Sequence, residues 1–219
     1  MRPRTDVIAL VSGGLDSLCL VRMLLADGRR VRPVYVRCGL RWEDAELAAA
    51  RRWLSALRHS RLEPVTVLDV PARPLYGRHW SLGSGRVPSA RASDVSVYLP
   101  GRNALLLSLA AVLTDRAGAS TIMLGTLAGN PFRDASPAFF KSTAAVFSRA
   151  LSRRITIEAP QRRLTKSRLV RLHADAPLHM TFSCIQPVGR RHCGRCNKCA
   201  ERRRAFRAAR VPDRTRYTR

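Results

Sequence analysis

Hydrophobic positions along this chain follow two rhythms in turn. Residues 7–11, VIALV, form a short apolar run rich in β-branched side chains, which predicts a buried strand. From there Leu15, Leu18, Cys19 and Met23 recur at helical spacing. Residues 30–36 read as a second strand interrupted by Pro33. Residues 42–57 read as a helix with Glu43, Asp44 and Glu46 in its first turn, where acids suit the dipole. Residues 65–70 make a third strand. Beyond a break come a helix over 104–117, a strand over 121–125, a helix over 138–151 and a strand over 155–158. A short helix over 165–172, capped by Thr165, and a terminal helix over 198–209 complete the chain. This alternation predicts an α/β fold, a doubly wound parallel sheet of about five strands with right-handed crossovers. Ligands of such sheets bind beyond the carboxyl ends of the strands, at the switch point. The turns at Ser12-Gly13-Gly14 and Cys38-Gly39 both lie at such ends.

Residues 71–97 keep neither rhythm and are rich in Pro, Gly, Ser and Arg. A stretch of that length inside a compact domain reads as a flexible insertion or a mobile lid, here with Tyr76 and Trp80 as anchors. The chain then divides into an α/β domain over 1–178 and a cysteine-bearing element with a terminal helix over 179–219, ending in a frayed basic tail from 211. A length of 219 residues and a hydrophobic content of 46% suit one α/β domain with a small appendage. No apolar run reaches the ~18 residues of a membrane span. The opening MRPRTDVIALVSGG lacks the long apolar region and cleavage site of a signal peptide, so the chain reads as cytosolic. Net charge is +25, from 40 basic and 15 acidic residues, and only Lys141, Lys166 and Lys198 are lysines. Such a balance suggests a polyanion such as RNA. The arginines run along the whole chain rather than in one stripe, so nucleic acid is not the favoured partner. A homodimer is the assembly expected, although no sequence feature fixes it.

The chemistry concentrates at the first strand's end. Adjacent glycines allow positive φ and close backbone approach, and the following helix start offers free N–H groups and a dipole to an anion. No Gly-Lys-Ser/Thr follows, so this is not a Walker A loop. Asp16 would repel a phosphate unless it caps the helix or holds Mg²⁺. Pro100-Gly101 signals a turn, Asn103 suits a cap for the next helix, and Arg102 beside it is placed to meet a phosphate. In the loop over 126–134, Arg133 and Asp134 could read a substrate's hydrogen-bonding edge; equally, Asp134 or Ser136 could cap the helix that follows. Lys166 could lie near phosphate. Cys19 reads as core filling, whereas Cys38 is a spare thiol near the switch point. Cys184, Cys193, Cys196 and Cys199 supply four soft ligands that suit a closed, structural Zn²⁺ site; an iron–sulfur cluster also fits, and His179 and His192 are competing ligands.

The string Ser12-Gly13-Gly14-Leu15-Asp16-Ser17 resembles the pyrophosphate loop of the PP-loop ATP pyrophosphatase superfamily. Taken in order with the Pro100-Gly101-Arg102-Asn103 loop and the C-x8-C-x2-C-x2-C cluster, it resembles the QueC family of 7-cyano-7-deazaguanine synthases over nearly the whole chain. The resemblance implies a carbon–nitrogen ligase of EC class 6 that turns 7-carboxy-7-deazaguanine and ammonia into the nitrile through an adenylated carboxylate and an amide. It implies ATP on Leu10, Val11, Ser12, Gly13, Gly14, Leu15, Asp16, Ser17 and Asn103, with Mg²⁺. Asp16, Ser17 and Arg102 are then the catalytic residues, and the four cysteines hold structural zinc. Two segments depart from the family's pattern. Cys38-Gly39-Leu40-Arg41-Trp42 replaces Tyr-Gly-Gln-Arg-His, and residues 129–136 replace a loop like Asp-x-Ser-Gly-Tyr-Pro-Asp-Cys-Arg. Both read as substrate-contacting, which leaves two alternatives open. One is a ligase that adenylates a related carboxylate and stops at an amide. The other is a tRNA-modifying PP-loop enzyme in which Cys38 carries sulfur.

Overall fold

The computed structural model describes residues 5–83 and 85–218. Five strands, β1 (Val7–Leu10), β2 (Val31–Arg37), β3 (Thr66–Asp69), β4 (Thr121–Leu124) and β5 (Thr156–Glu158), form one sheet of order β3-β2-β1-β4-β5. All neighbours pair in parallel. The order reverses between β1 and β4, so the switch point lies where the Ser-Gly-Gly turn leaves β1. The helices are α1 (Leu15–Ala26), α2 (Glu43–Leu57), α3 (Arg73–Tyr76), α4 (Arg102–Ala117), α5 (Pro137–Ala150), α6 (Lys166–Leu172) and α7 (Asn197–Ala209).

Period-two alternation in β1 sends its side chains to opposite faces. Val7, Ala9 and Val11 pack with Leu18, Val21, Leu24, Leu47 and Trp53 from α1 and α2. Ile8 and Leu10 pack with Leu107, Ala110 and Phe140 from α4 and α5. A third cluster joins Leu15 and Cys19 of α1 to Leu169 of α6 and Phe206 of α7, so Cys19 is core. Pro33 does not break β2. The N–H of Val31 points to Arg61, and Pro33, two residues on, points the same way. The β2–β3 ladder begins only at Val34↔Thr66, so the absent N–H falls where no partner strand runs.

Two segments without periodicity in the sequence carry structure of their own. Residues 71–97 carry their own short elements: α3, and 3₁₀ turns over Trp80–Leu82 and Asp94–Val97. Trp80 stacks on Trp42 with ring centroids 5.7 Å apart, Ser81 and Leu82 are buried, and Asn197 donates to the Pro88 and Ala92 carbonyls. Side-chain stacking and loop hydrogen bonds hold the described residues of this segment, and neither has a periodic sequence signature. The tail is not frayed over its described residues. Buried Arg202 needs partners, and it takes Thr215 (2.8 Å) and lies 3.9 Å from Asp213, while Thr218 N–H donates to the His192 carbonyl. The reading of the first residues as no leader falls partly on residues 1–4, outside the described ones. Among the described residues no helix is long and apolar enough to cross a membrane.

Two glycines set the spacing around the switch point. Gly13 has φ +76°, and a Cβ there would lie 2.5 Å from the Glu46 carbonyl oxygen. A Cβ on Gly125, just past β4, would lie 2.7 Å from the Asp16 carbonyl. Both clashes are with backbone, which cannot swing aside. Gly13→Ala and Gly125→Ala should each cost about 1–3 kcal/mol in chemical denaturation; an unchanged midpoint would show that the turn is looser than described.

Candidate functional site

A cavity of about 370 Å³ opens at the carboxyl ends of the strands. Its walls include Leu10, Val11, Ser12, Asp16 and Ser17 from the first turn, Arg102 and Asn103 from α4, the loop after β4, and Lys166, Lys198 and Glu201. The turn is drawn tight by Ser17, whose Oγ accepts the Ser12 N–H (3.0 Å) and donates to the Gly14 carbonyl (3.4 Å). No side chain caps α1, so its first-turn N–H groups stay open to an anion. Gly13 abuts α2, and Leu15 is buried in the core beside Cys19; neither they nor Gly14 line the cavity.

Asp16 is therefore not a cap. Its Oδ2 pairs with Lys166 Nζ at 3.1 Å, and Lys166 also bonds Glu201. Burial raises the Asp16 carboxyl, and Lys166 opposes that rise. Burial alone would lower the Lys166 ammonium, but Asp16 and Glu201 outweigh it and hold the charge. Glu201, flanked by Lys166 and by Lys198 at 2.7 Å, is held down at about 2 despite burial. Gln161 is buried behind the loop; with its side-chain amide turned so that both ends find partners, it donates to the Asp16 carbonyl (3.0 Å) and accepts from the Leu20 N–H (3.2 Å).

Capping is redistributed. Asn103 does not cap α4; its own N–H donates to Asp134 Oδ2 (3.1 Å), so Asp134 serves α4 from another loop. Ser136 caps α5 through the Phe139 N–H, and Thr165 caps α6. Arg133 is exposed and does not line the cavity. Residues 38–42 do not line it either: Cys38, Leu40 and Trp42 are buried in the core, so that departure changes packing rather than the cavity wall. Burial pushes the Cys38 thiol up, which suits a packed side chain. The altered loop over 129–136 does form a wall, with Tyr98 and Phe132 stacked at 4.9 Å.

Four buried polar atoms on this wall lack partners: Asp16 Oδ1, Arg102 Nε, Thr126 Oγ1 and Asp134 Oδ1. Native proteins rarely leave such groups unpaired, and all four belong to residues that line this cavity. Acids exceed bases on the wall, five to three: Asp16, Glu46, Asp94, Asp134 and Glu201 against Arg102, Lys166 and Lys198. Among these acids, Asp16 and Asp134 each keep one carboxylate oxygen without a partner. Glu46, Tyr35, Lys198 and Glu201 were not singled out from the sequence as cavity residues, because they join the site only through folding.

Sequential spacing becomes a cage at the other end. The sulfurs of Cys184, Cys193, Cys196 and Cys199 lie within 4.8 Å of one another, all buried. Tetrahedral ligands at a zinc–sulfur bond length stand roughly 3.8 Å apart, matching Cys184–Cys196 at 3.9 Å and Cys193–Cys199 at 4.0 Å. The Gln186 and Cys193 N–H groups both donate to Cys184 Sγ at 3.3 Å, which favours thiolate. His192 is not in the group. Its Nε2 accepts the Ser183 N–H, and burial and Arg202 lower it to about 3.

Comparisons with known proteins agree with this geometry. A family profile described as "Queuosine biosynthesis protein QueC" matches residues 6–210. The chain is 35% identical over 228 residues to a 7-cyano-7-deazaguanine synthase of Anaeromyxobacter sp. (strain Fw109-5), covering 99% of this chain and 97% of that one. It is 34% identical over 226 residues to a protein of the same name from Methanothrix thermoacetophila, covering 96% and 97%. Among solved structures it resembles a 4-thiouridine synthetase in complex with RNA and bound ATP. That match has a TM-score of 0.55 and 18% identity, over 95% of this chain and 51% of that one. It also resembles a predicted subunit of a tRNA methyltransferase from Methanocaldococcus jannaschii, with a TM-score of 0.51 and 16% identity, over 78% and 76%. At these identities the two structures show a shared fold.

Glu46 sets a pH dependence. Burial pushes its carboxyl up to about 8 from 4.5, against the pull of Arg102 and of the Tyr35 hydroxyl, which donates to it at 2.8 Å. The folded state then binds a proton that the unfolded chain has released, so stability falls as pH rises from 4.5 towards 8. Glu46→Gln should remove a slope on the order of a few kcal/mol across that window, read from denaturation midpoints. An identical slope in the variant would contradict the assignment.

Proposed function

The chain belongs to the QueC family of queuosine biosynthesis proteins, and on that premise we propose that it makes 7-cyano-7-deazaguanine from 7-carboxy-7-deazaguanine, ammonia and ATP, as a carbon–nitrogen ligase. The observation that carries this reading is that four residues lining one cavity beside the pyrophosphate loop each keep a buried polar atom unpaired. A carboxylate is a poor electrophile, being anionic and without a leaving group. ATP supplies AMP as that leaving group twice: ammonia displaces it from the adenylated carboxylate to give the amide, and adenylation of the amide oxygen with release of diphosphate then lets AMP depart as the nitrogen gives up its two protons, leaving the nitrile.

The chain's own residues fit the parts this needs. The open first-turn N–H groups of α1, with Ser12 and Ser17, would hold the phosphates and take charge developing on the departing diphosphate. Asp16 Oδ1 is the oxygen free to bind Mg²⁺, and Lys166 adds a fixed positive charge 3.1 Å from that carboxylate. Arg102 lines the cavity with its Nε unpartnered, and its guanidinium suits the substrate's carboxylate. Tyr98 and Phe132 offer a stacked aromatic surface to a flat bicyclic base. Asp134 keeps Oδ1 open for the base's N–H donors while Oδ2 is fixed on α4. Residues 71–97 would cover the cavity, through Asp94 and Val97. The cysteine cage has no open position for water, so its metal would be structural, and the close sulfur spacing favours one zinc ion.

Incubation of the protein with ATP, Mg²⁺, ammonia and 7-carboxy-7-deazaguanine should yield the nitrile by mass spectrometry, with AMP and diphosphate. Amide without nitrile would replace this reading with the amide-forming ligase. Asp16→Asn should lower turnover on the order of 10²-fold or more; an active variant would remove Asp16 from the machinery.

A further inference from the structure

The helix that leaves the cysteine cage reaches into the nucleotide cavity. α7 begins at Asn197, directly after Cys196, and carries Lys198 and Glu201 onto the cavity wall. The two are one helical turn apart and paired at 2.7 Å. Glu201 bonds Lys166 on α6, and Lys166 is 3.1 Å from Asp16 of the loop. At the other end Lys198 faces Asp94, of the 71–97 segment, at 3.6 Å. Charges therefore alternate in one row, Asp94, Lys198, Glu201, Lys166 and Asp16, from the connecting segment to the first turn of α1.

This row is more than surface pairing. Lys166, Lys198 and Glu201 are largely withdrawn from water, with side chains 23%, 26% and 21% exposed. The only partners of Lys198 in the row are carboxylates, and an ammonium has three donors, so it keeps capacity towards the cavity. On a wall where acids outnumber bases, Lys166, Lys198 and Arg102 are the cations a polyphosphate would meet. Among the acids of the described wall, Glu201 is the one that pairs with two of them, Lys166 and Lys198.

We propose that Lys198 is a further triphosphate-binding residue and that Glu201 is the positioning residue that turns Lys198 and Lys166 toward the loop. The cysteine element is then a wall of the nucleotide site rather than an appendage. This inference rests on the reading that the cavity takes ATP.

The test measures affinity for a non-hydrolysable ATP analogue with Mg²⁺ on the full, metal-loaded chain, with metal content and far-UV circular dichroism followed in parallel. Lys198→Met should weaken binding roughly ten- to a hundredfold, the scale of one hydrogen bond to a charged group. Lys198→Arg should recover most of that loss. Glu201→Gln should raise the KM for ATP roughly tenfold and leave the KM for the carboxylate unchanged. Where Lys198→Met sheds its metal, Lys198→Gln against Lys198→Arg gives the same comparison. Wild-type affinity in the folded, metal-loaded Lys198 variant, or a Glu201→Gln that raises both KM values in step, overturns the proposal. Failure of the wild type to bind the analogue overturns the ATP reading itself, which distinguishes the two.

Discussion

A carboxylate on the first turn of a buried helix has to be answered by charge from elsewhere in the chain, and that requirement ties this molecule together. Asp16 is answered by Lys166 of α6, and Lys166 is shared with Glu201 of α7. Three elements far apart in sequence thus meet at one point. The hydrophobic cluster of α1, α6 and α7, which includes Leu15, Leu169 and Phe206, joins the same three helices. Packing brings the helices together, and charge compensation fixes which way their polar ends face.

The sheet supplies the place. Five parallel strands end at one rim, and the order β3-β2-β1-β4-β5 opens a crevice beside β1. Gly13 lets the first turn press against α2, and Gly125 lets the end of β4 press against the same turn. The result is a cavity richer in acids than in bases within a chain of net charge +25. Of the chain's arginines, Arg102 is the one on the described cavity wall.

Much of this was legible in the sequence. The strands, the turn at Ser12–Ser17 and the four cysteines each announce themselves through local pattern. Periodicity reports burial, glycine pairs report turns, and repeated thiols report a metal. What stayed hidden depends on contacts made across the chain. Asn103 looks like a helix cap, yet the carboxylate that fills that role comes from Asp134 in another loop. Residues 71–97 look structureless because Trp42 stacking on Trp80 and Asn197 bonding to Pro88 and Ala92 leave no periodic trace. Glu201 and Lys198 look like an ordinary solvated helix turn until α7 is docked. Cys38 looks like a spare thiol near the rim, but its neighbours bury it.

If the cage and the pyrophosphate loop form one site, the metal and the nucleotide are linked. The most direct measurement is calorimetric titration of a non-hydrolysable ATP analogue with Mg²⁺ into the protein before chelation, after chelation of its cysteine-bound metal, and after return of zinc. The account predicts that affinity falls when the metal leaves and returns with it. A demetallated, still folded protein that binds the analogue as tightly as before would contradict it.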